Sequence, residues 1–252
     1  MINCRLWGVC WQKKLQVTMW KEYHQGDPIE MVSSDMQTIV LSLFNSLMNV
    51  KEDFIYWTIN NEKIKDDNHI YVERAFAYEL YFQWKMNTTI SDTPIYKMED
   101  KYIINAEIKK EFMEKVSEKS NYGYPDMVLH GGNDTNHNYI VCEIKRKETV
   151  ENNKDSLTKD INKLGFFLRD DLHTIYKGVD WNEYKYGFFI MTGKDWGGGE
   201  ADLKPSDFSN NLKLDKLDVK EDYYSRIICV LYNGKSLRYN LLKNVIEEKN
   251  KK

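Results

Sequence analysis

Proline is scarce in this chain of 252 residues, with 4 in all, and glycine is modest at 13. Those counts exclude collagen-like and low-complexity architectures. Cysteine is confined to Cys4, Cys10, Cys142 and Cys229. Cys142 and Cys229 sit in apolar, strand-like runs, where a buried free thiol is the ordinary outcome. Cys4 and Cys10 have neither a second cysteine pair nor a histidine tract beside them, so they do not describe a zinc site. A reducing cytoplasm is the expected compartment. No stretch approaches the roughly 20 consecutive apolar residues of a membrane-spanning helix. The most apolar helical run, 36–48, is interrupted by Gln37, Ser42, Asn45 and Ser46. The first residues, MINCRLWGVCWQKK, hold a short apolar patch without a small-residue cleavage site and make a poor signal peptide. A basic excess is missing too: 36 Lys plus Arg stand against 39 Asp plus Glu, a net charge of −3. Bulk charge therefore does not advertise a nucleic-acid binder.

Apolar material is plentiful: 42% of residues are hydrophobic, with 17 Tyr and 7 Trp. That suffices for a sizeable core and excludes disorder over most of the chain. With no internal repeat and no Pro/Gly/Ser linker, residues 1–252 read as a single domain. Residues 1–34 form an N-terminal extension or cap, about 70–195 a core, and 196–252 a C-terminal loop, strand and helix. After Asp35, Ile39, Val40, Leu43, Phe44, Leu47 and Met48 fall at helical spacing. A strand is expected at 54–59, a loop at 60–68 and a helix at 71–86. A strand at 102–108 precedes a charged insertion at 109–120. Strands at 125–130 and 139–146 flank the turn-rich GGNDTNHN. A helix follows at 155–169, then a fully buried strand at 186–192. A loop at 193–211, a strand at 226–232 and an amphipathic helix at 237–248 complete the chain. This order predicts an α/β fold with a mixed central sheet flanked by helices.

The segment YPDMVLHGGNDTNHNYIVCEIKRK carries the chemistry. Side chains alternate across a strand, so Glu143 and Lys145 share one face, with Val141 and Tyr139, while Cys142 and Ile144 share the other. If the hairpin closes with His130 opposite Tyr139, the antiparallel register sets Asp126 opposite Glu143. Directly opposed side chains have Cβ atoms about 4.5–5.5 Å apart. Two carboxylates that close repel unless a cation lies between them. Oxygen ligands suit a hard ion such as Mg²⁺ or Mn²⁺, which polarises a phosphoryl oxygen and activates water. A neighbouring lysine can orient that water or stabilise charge developing on phosphorus. A glycosidase has a use for two carboxylates but none for this lysine. The triad therefore describes a phosphodiester hydrolase more readily than a carbohydrase, with a different metal-dependent hydrolase as a weaker option.

These segments resemble the PD-(D/E)xK nuclease superfamily, whose members share the restriction-endonuclease-like fold. Pro125-Asp126 matches the PD half and Glu143-Ile144-Lys145 the ExK half, and the resemblance spans roughly residues 70–195. It implies an αβββαβ core with N- and C-terminal additions. It further implies metal ligation by Asp126, Glu143 and the backbone carbonyl of Ile144, with Lys145 as the catalytic lysine. The family often adds a glutamate on the first core helix, for which Glu79 is the candidate, with Gln83 one turn on. Glu107, Asp160 and Lys163 resemble accessory polar positions. The implied activity is a Mg²⁺-dependent nuclease, with Mn²⁺ as a substitute, acting on nucleic acid and by family habit on DNA. A homodimer is compatible, since many members cut both strands as dimers. The alternative is a catalytically inactive module of the same fold that binds nucleic acid or a protein.

Each residue also has a plainer reading. Asp126 can be a Pro-Asp turn, Glu143 and Lys145 the solvated face of an edge strand, and Glu79 an exposed helix acid. His130 and His137 read as surface hairpin residues, and Gly197–Gly199 as a flexible loop. The run Lys145–Lys147 can touch a phosphate backbone or be a strand end balanced by Glu148 and Glu151.

Overall fold

The runs YGFFIMT and IICVLY carry no charged side chain, so strands built from them need cover on both faces. In the computed structural model they lie at the middle of a mixed sheet. The structure describes residues 20–51, 54, 69–89, 102–106, 122–131, 137–172, 182–193 and 203–251. Its strands are β1 (Lys21–Tyr23), β2 (Tyr102–Ala106), β3 (Met127–Gly131), β4 (Asn138–Arg146), β5 (Tyr186–Thr192), β6 (Ile227–Tyr232) and β7 (Leu237–Leu241). They are ordered β1-β7-β6-β5-β4-β3-β2 across one seven-stranded sheet. The pairs β4–β5 and β5–β6 are parallel and the other pairs antiparallel. The helices are α1 (Gln37–Asn49), α2 (His69–Thr89), α3 (Lys147–Asn152), α4 (Ser156–Phe167), α5 (Pro205–Asn211) and α6 (Leu242–Asn250). The expected α/β class with a mixed sheet flanked by helices is what forms.

Strand alternation sorts the side chains into two apolar layers. Leu43, Phe44 and Leu47 of α1, with Phe76, Leu80 and Trp84 of α2, pack with Ile140, Cys142, Ile144, Phe188, Ile190 and Val230. The other layer joins Leu157, Ile161 and Leu164 of α4, Phe208 of α5, and Leu242 and Val245 of α6 with Val128, Val141, Phe189, Met191 and Leu231. Trp84 Nε1 donates to Ser42 Oγ at 2.8 Å, which satisfies the indole where α2 crosses α1. The thiols of Cys142 and Cys229 are buried and free, as their runs suggested.

Four expectations need correction. Residues 237–241 form β7, not the first turns of a helix, and the helix begins only at Leu242. Asn233-Gly234 explains it. Gly234 holds φ of +88°, and Asn233 Oδ1 accepts the N–H groups of Lys235 and Ser236, so the chain reverses into a hairpin. The loop expected at 193–211 contains α5, which starts at Pro205 with Asp207 Oδ2 accepting the Lys204 N–H at 2.8 Å. Helix α3 directly continues β4 where no helix was expected. Tyr139 packs in the layer of Ile140, not with Val141. Of the strand expected at 54–59 only Phe54 is described, and it is helical. Glu107, the insertion at 109–120, Gly197–Gly199, Cys4 and Cys10 lie outside the described residues. Among the described residues no helix is long and apolar enough to cross a membrane.

Candidate active site

The backbone of β3 and β4 brings the two halves of the motif together. Met127 faces Cys142, Val128 faces Val141 and Leu129 faces Ile140. One step further, Asp126 in the bend preceding β3 falls opposite Glu143. The closing pair differs from expectation: the register shifts between Leu129 and His130, so His130 faces Asn138 and not Tyr139. At that end Gly131 donates to the His137 carbonyl at 2.7 Å, and a Cβ on Gly131 would meet His137 Cβ at 2.8 Å. The bulge lies at the turn, and the register at the opposite end is the one the motif needs. Asp126 Oδ2 accepts the Ile144 N–H at 2.7 Å, pinning the PD bend to the strand that carries ExK.

Glu143 is buried, at 1% exposure, on the α4 face of an interior strand. The solvated-edge reading therefore fails for it. Its Oε2 lies 2.7 Å from Lys163 Nζ on α4. Its Oε1 is also buried and has no hydrogen-bond partner among the described residues. Lys163 donates as well to the Tyr124 carbonyl at 3.0 Å, just ahead of Pro125-Asp126. Lys145 donates to Glu73 Oε1 at 3.0 Å and lies 3.5 Å from Asp160 Oδ2. Glu73, in the first turns of α2, also accepts the Arg146 N–H at 3.3 Å and the Thr149 hydroxyl at 3.4 Å. Asp126 and Lys145 keep part of their surface accessible, while Glu143 beside them is buried. The cluster stands at the carboxyl end of β4, where ligand sites of open α/β sheets occur.

Burial sets the protonation of the acids. It lifts Asp126 to about 6, against the pull of Lys163, the Ile144 N–H and Lys145, with Glu73 adding to the rise. Burial, reinforced by Asp126, raises Glu143 well above the carboxylate range, while Lys163 opposes the shift. Burial also works against the charge on Lys145, yet Asp160, Glu73 and Asp126 outweigh it and raise its pKa. For Lys163, Glu143 and Asp160 likewise override desolvation. Both ammonium groups are therefore charged at neutral pH. Among the described residues the ion pairs of Glu73, Glu143 and Asp160 are with Lys145 and Lys163, and Asp126 lies beside them, so these four acids outnumber the two lysines.

The structure thus gathers Asp126, Glu143, the Ile144 backbone, Lys145, Asp160 and Lys163, all read from the sequence. It does not gather Glu79 and Gln83, which bond to each other at 2.7 Å along α2. Glu73 is the α2 acid at the cluster. Six residues separate it from Glu79, about 9 Å along the axis and roughly 240° around it. The overlooked signal was position: Glu73 lies three and seven residues before buried Phe76 and Leu80, an acid on the apolar stripe. The histidines divide, with His130 buried against Asn105 at 2.7 Å and His137 exposed. Within Lys145–Lys147, Arg146 lies 3.3 Å from Glu148 and Lys147 3.2 Å from Asp207, so these charges are matched inside the protein.

Among the described residues no three His, Cys, Asp or Glu side chains form a ready-made metal cage. Magnesium does not need one, since it commonly binds through one or two carboxylates and keeps several waters. Glu143 Oε1, buried beside Asp126 without a hydrogen-bond partner among the described residues, fits a divalent ion, whose charge would favour the ionised form of both acids. Compared with known proteins, the chain matches no family model, no curated protein and no solved structure.

Proposed function

We propose that the protein is a metal-dependent nuclease that hydrolyses phosphodiester bonds in nucleic acid, DNA in the first instance. The carrying observation is the buried Glu143 Oε1, which has no hydrogen-bond partner among the described residues and lies next to Asp126, a carboxylate arrangement that folding alone disfavours. Among the described residues from α2 to β5 the order is helix, three antiparallel strands, two helices and a strand parallel to β4. That order supports a restriction-endonuclease-like core with α3 added. Asp126, Glu143 and the Ile144 carbonyl would hold Mg²⁺ or Mn²⁺. The ion would supply Lewis-acid polarisation of a phosphoryl oxygen and acidify a water. Lys145, its ammonium held by Glu73 and Asp160, would stabilise charge developing on phosphorus. Glu73 is a positioning residue, since it acts through Lys145. A cytoplasmic setting and a homodimer that cuts both strands belong to the same reading.

The test is cleavage of plasmid, linear DNA, single strands and RNA with Mg²⁺, Mn²⁺ or EDTA. Wild type should cut with either metal and not in EDTA. Asp126→Ala and Lys145→Ala should lose activity by about 100-fold or more. Glu73→Gln should lower kcat with KM little changed. Cutting that survives Asp126→Ala or Lys145→Ala rejects this site.

One observation favours a second reading, a non-catalytic nucleic-acid or protein-binding module. Lys163 already sits on Glu143 and supplies a cation without any metal. Under that reading the protein neither cuts nor binds Mg²⁺ or Mn²⁺ in calorimetry.

A further inference from the structure

Lys163 poses a problem for any divalent ion that approaches Glu143. Its ammonium lies 2.7 Å from Glu143 Oε2 and 3.0 Å from the Tyr124 carbonyl, bridging the ExK strand to the residues ahead of Asp126. The lysine is itself buried, at 9% exposure. A second cation on the same carboxylate would be repelled by it across a short, poorly solvated distance. One helical turn back, Asp160 shares the face of Lys163. Its Oδ2 is buried and has no hydrogen-bond partner among the described residues, although Lys145 lies 3.5 Å away.

We infer that Lys163 is the resident counter-ion of the carboxylate pair and that a divalent ion binds by displacing it from Glu143 toward Asp160. This rests on the metal-dependent reading and extends it to a residue with a defined role in metal affinity. In the metal-free protein, Lys163 keeps the buried Glu143 compensated, which a buried carboxylate requires. When the ion takes over that task, the ammonium has Asp160 Oδ2 on its own helix face as an acceptor. The site is thereby held in order when empty, and its affinity for metal is lower than its carboxylates alone would set. Asp160 then has two successive tasks. It holds Lys145 in the metal-free protein and takes Lys163 in the loaded one.

The experiment is Mn²⁺ titration calorimetry on the full chain as wild type, Lys163→Gln, Lys163→Met, Lys163→Arg and Glu143→Gln. Glutamine keeps a donor for Glu143 and Tyr124 without the charge, and methionine fills the same volume if glutamine does not fold, as judged by circular dichroism. The uncharged variants should bind Mn²⁺ about tenfold or more tightly than wild type, with a larger Mn²⁺-induced rise in Tm. Lys163→Arg should stay near wild type and Glu143→Gln should lose binding. If folded Lys163→Gln or Lys163→Met binds Mn²⁺ no better than wild type while Glu143→Gln abolishes binding, Lys163 only positions Glu143. That result overturns the displacement and leaves the nuclease reading standing. If no variant with Glu143 intact binds Mn²⁺, the metal-dependent reading falls and the inference with it.

Discussion

In water a carboxyl group like that of Asp126 ionises near pH 4. Buried, and with the Glu73 carboxylate nearby, it does so at about 6. Its folded value lies above its unfolded one, so the native state holds the proton more tightly. The stability linked to that proton is fully present below about pH 4 and is lost as pH climbs through about 6. Metal-free protein should therefore become less stable across that window. Asp126→Asn keeps an oxygen for the Ile144 N–H and removes the titration. At pH 7.5 without metal it should stabilise the fold by about 1–3 kcal/mol in urea denaturation, while abolishing cleavage. An Asp126→Asn protein less stable than wild type at pH 7.5 would show that the ionised carboxylate is well compensated without metal. Asp126, Glu143 and Lys145 were proposed as neighbours from strand alternation, an assumed hairpin register and the PD and ExK motifs, and they lie close together in the fold. Glu73 was not, because an acid on a helix declares its face only relative to residues that prove buried.

Helix α4 brings Asp160 and Lys163 to the site, and at Gly165 it packs closely against Val219. A Cβ there would lie 2.6 Å from Val219 Cγ2, and Val219 is buried in the α4 layer. Alanine has the better intrinsic helix propensity, by about 1 kcal/mol, so propensity alone favours Gly165→Ala. The clash reverses the sign. Gly165→Ala should destabilise by about 1–3 kcal/mol in urea and reduce cleavage, because α4 must shift together with Asp160 and Lys163. A more stable Gly165→Ala protein would mean that the 217–220 segment yields without moving α4. Elements were read well where one signal ruled them, as in β5, whose bounds Tyr186–Thr192 match the continuous apolar run. They were misread where two signals competed. Helical spacing of Leu237, Leu241 and Val245 masked an Asn-Gly turn whose hairpin commits Leu237–Leu241 to pairing with β6.

Across the whole molecule the net charge of −3 leaves no long-range attraction for a polyanion. Two of the three basic residues after Ile144 are matched by Glu148 and Asp207, and Lys145 by Glu73 and Asp160. Nucleic-acid affinity should then rest on few phosphate contacts. With the inactive Lys145→Ala protein and Mg²⁺, log K against log salt should have a slope no steeper than about −4 in fluorescence anisotropy. A slope near −10 would reveal an extended basic track that these pairings do not predict.

By itself the sequence determined the class of fold, the strand that follows Asp126 and the strand that carries Glu143. These follow from alternation and from runs of apolar residues, which are properties of the chain read in one dimension. Only the tertiary structure decided the register of the hairpin, that Glu73 and not Glu79 reaches Lys145, that Lys163 bridges Glu143 to Tyr124, and that Glu143 Oε1 has no hydrogen-bond partner among the described residues. The side-chain outcomes depend on how far α2 and α4 are rotated and set against the end of β4. Packing of whole layers fixes that rotation, and no local pattern encodes it.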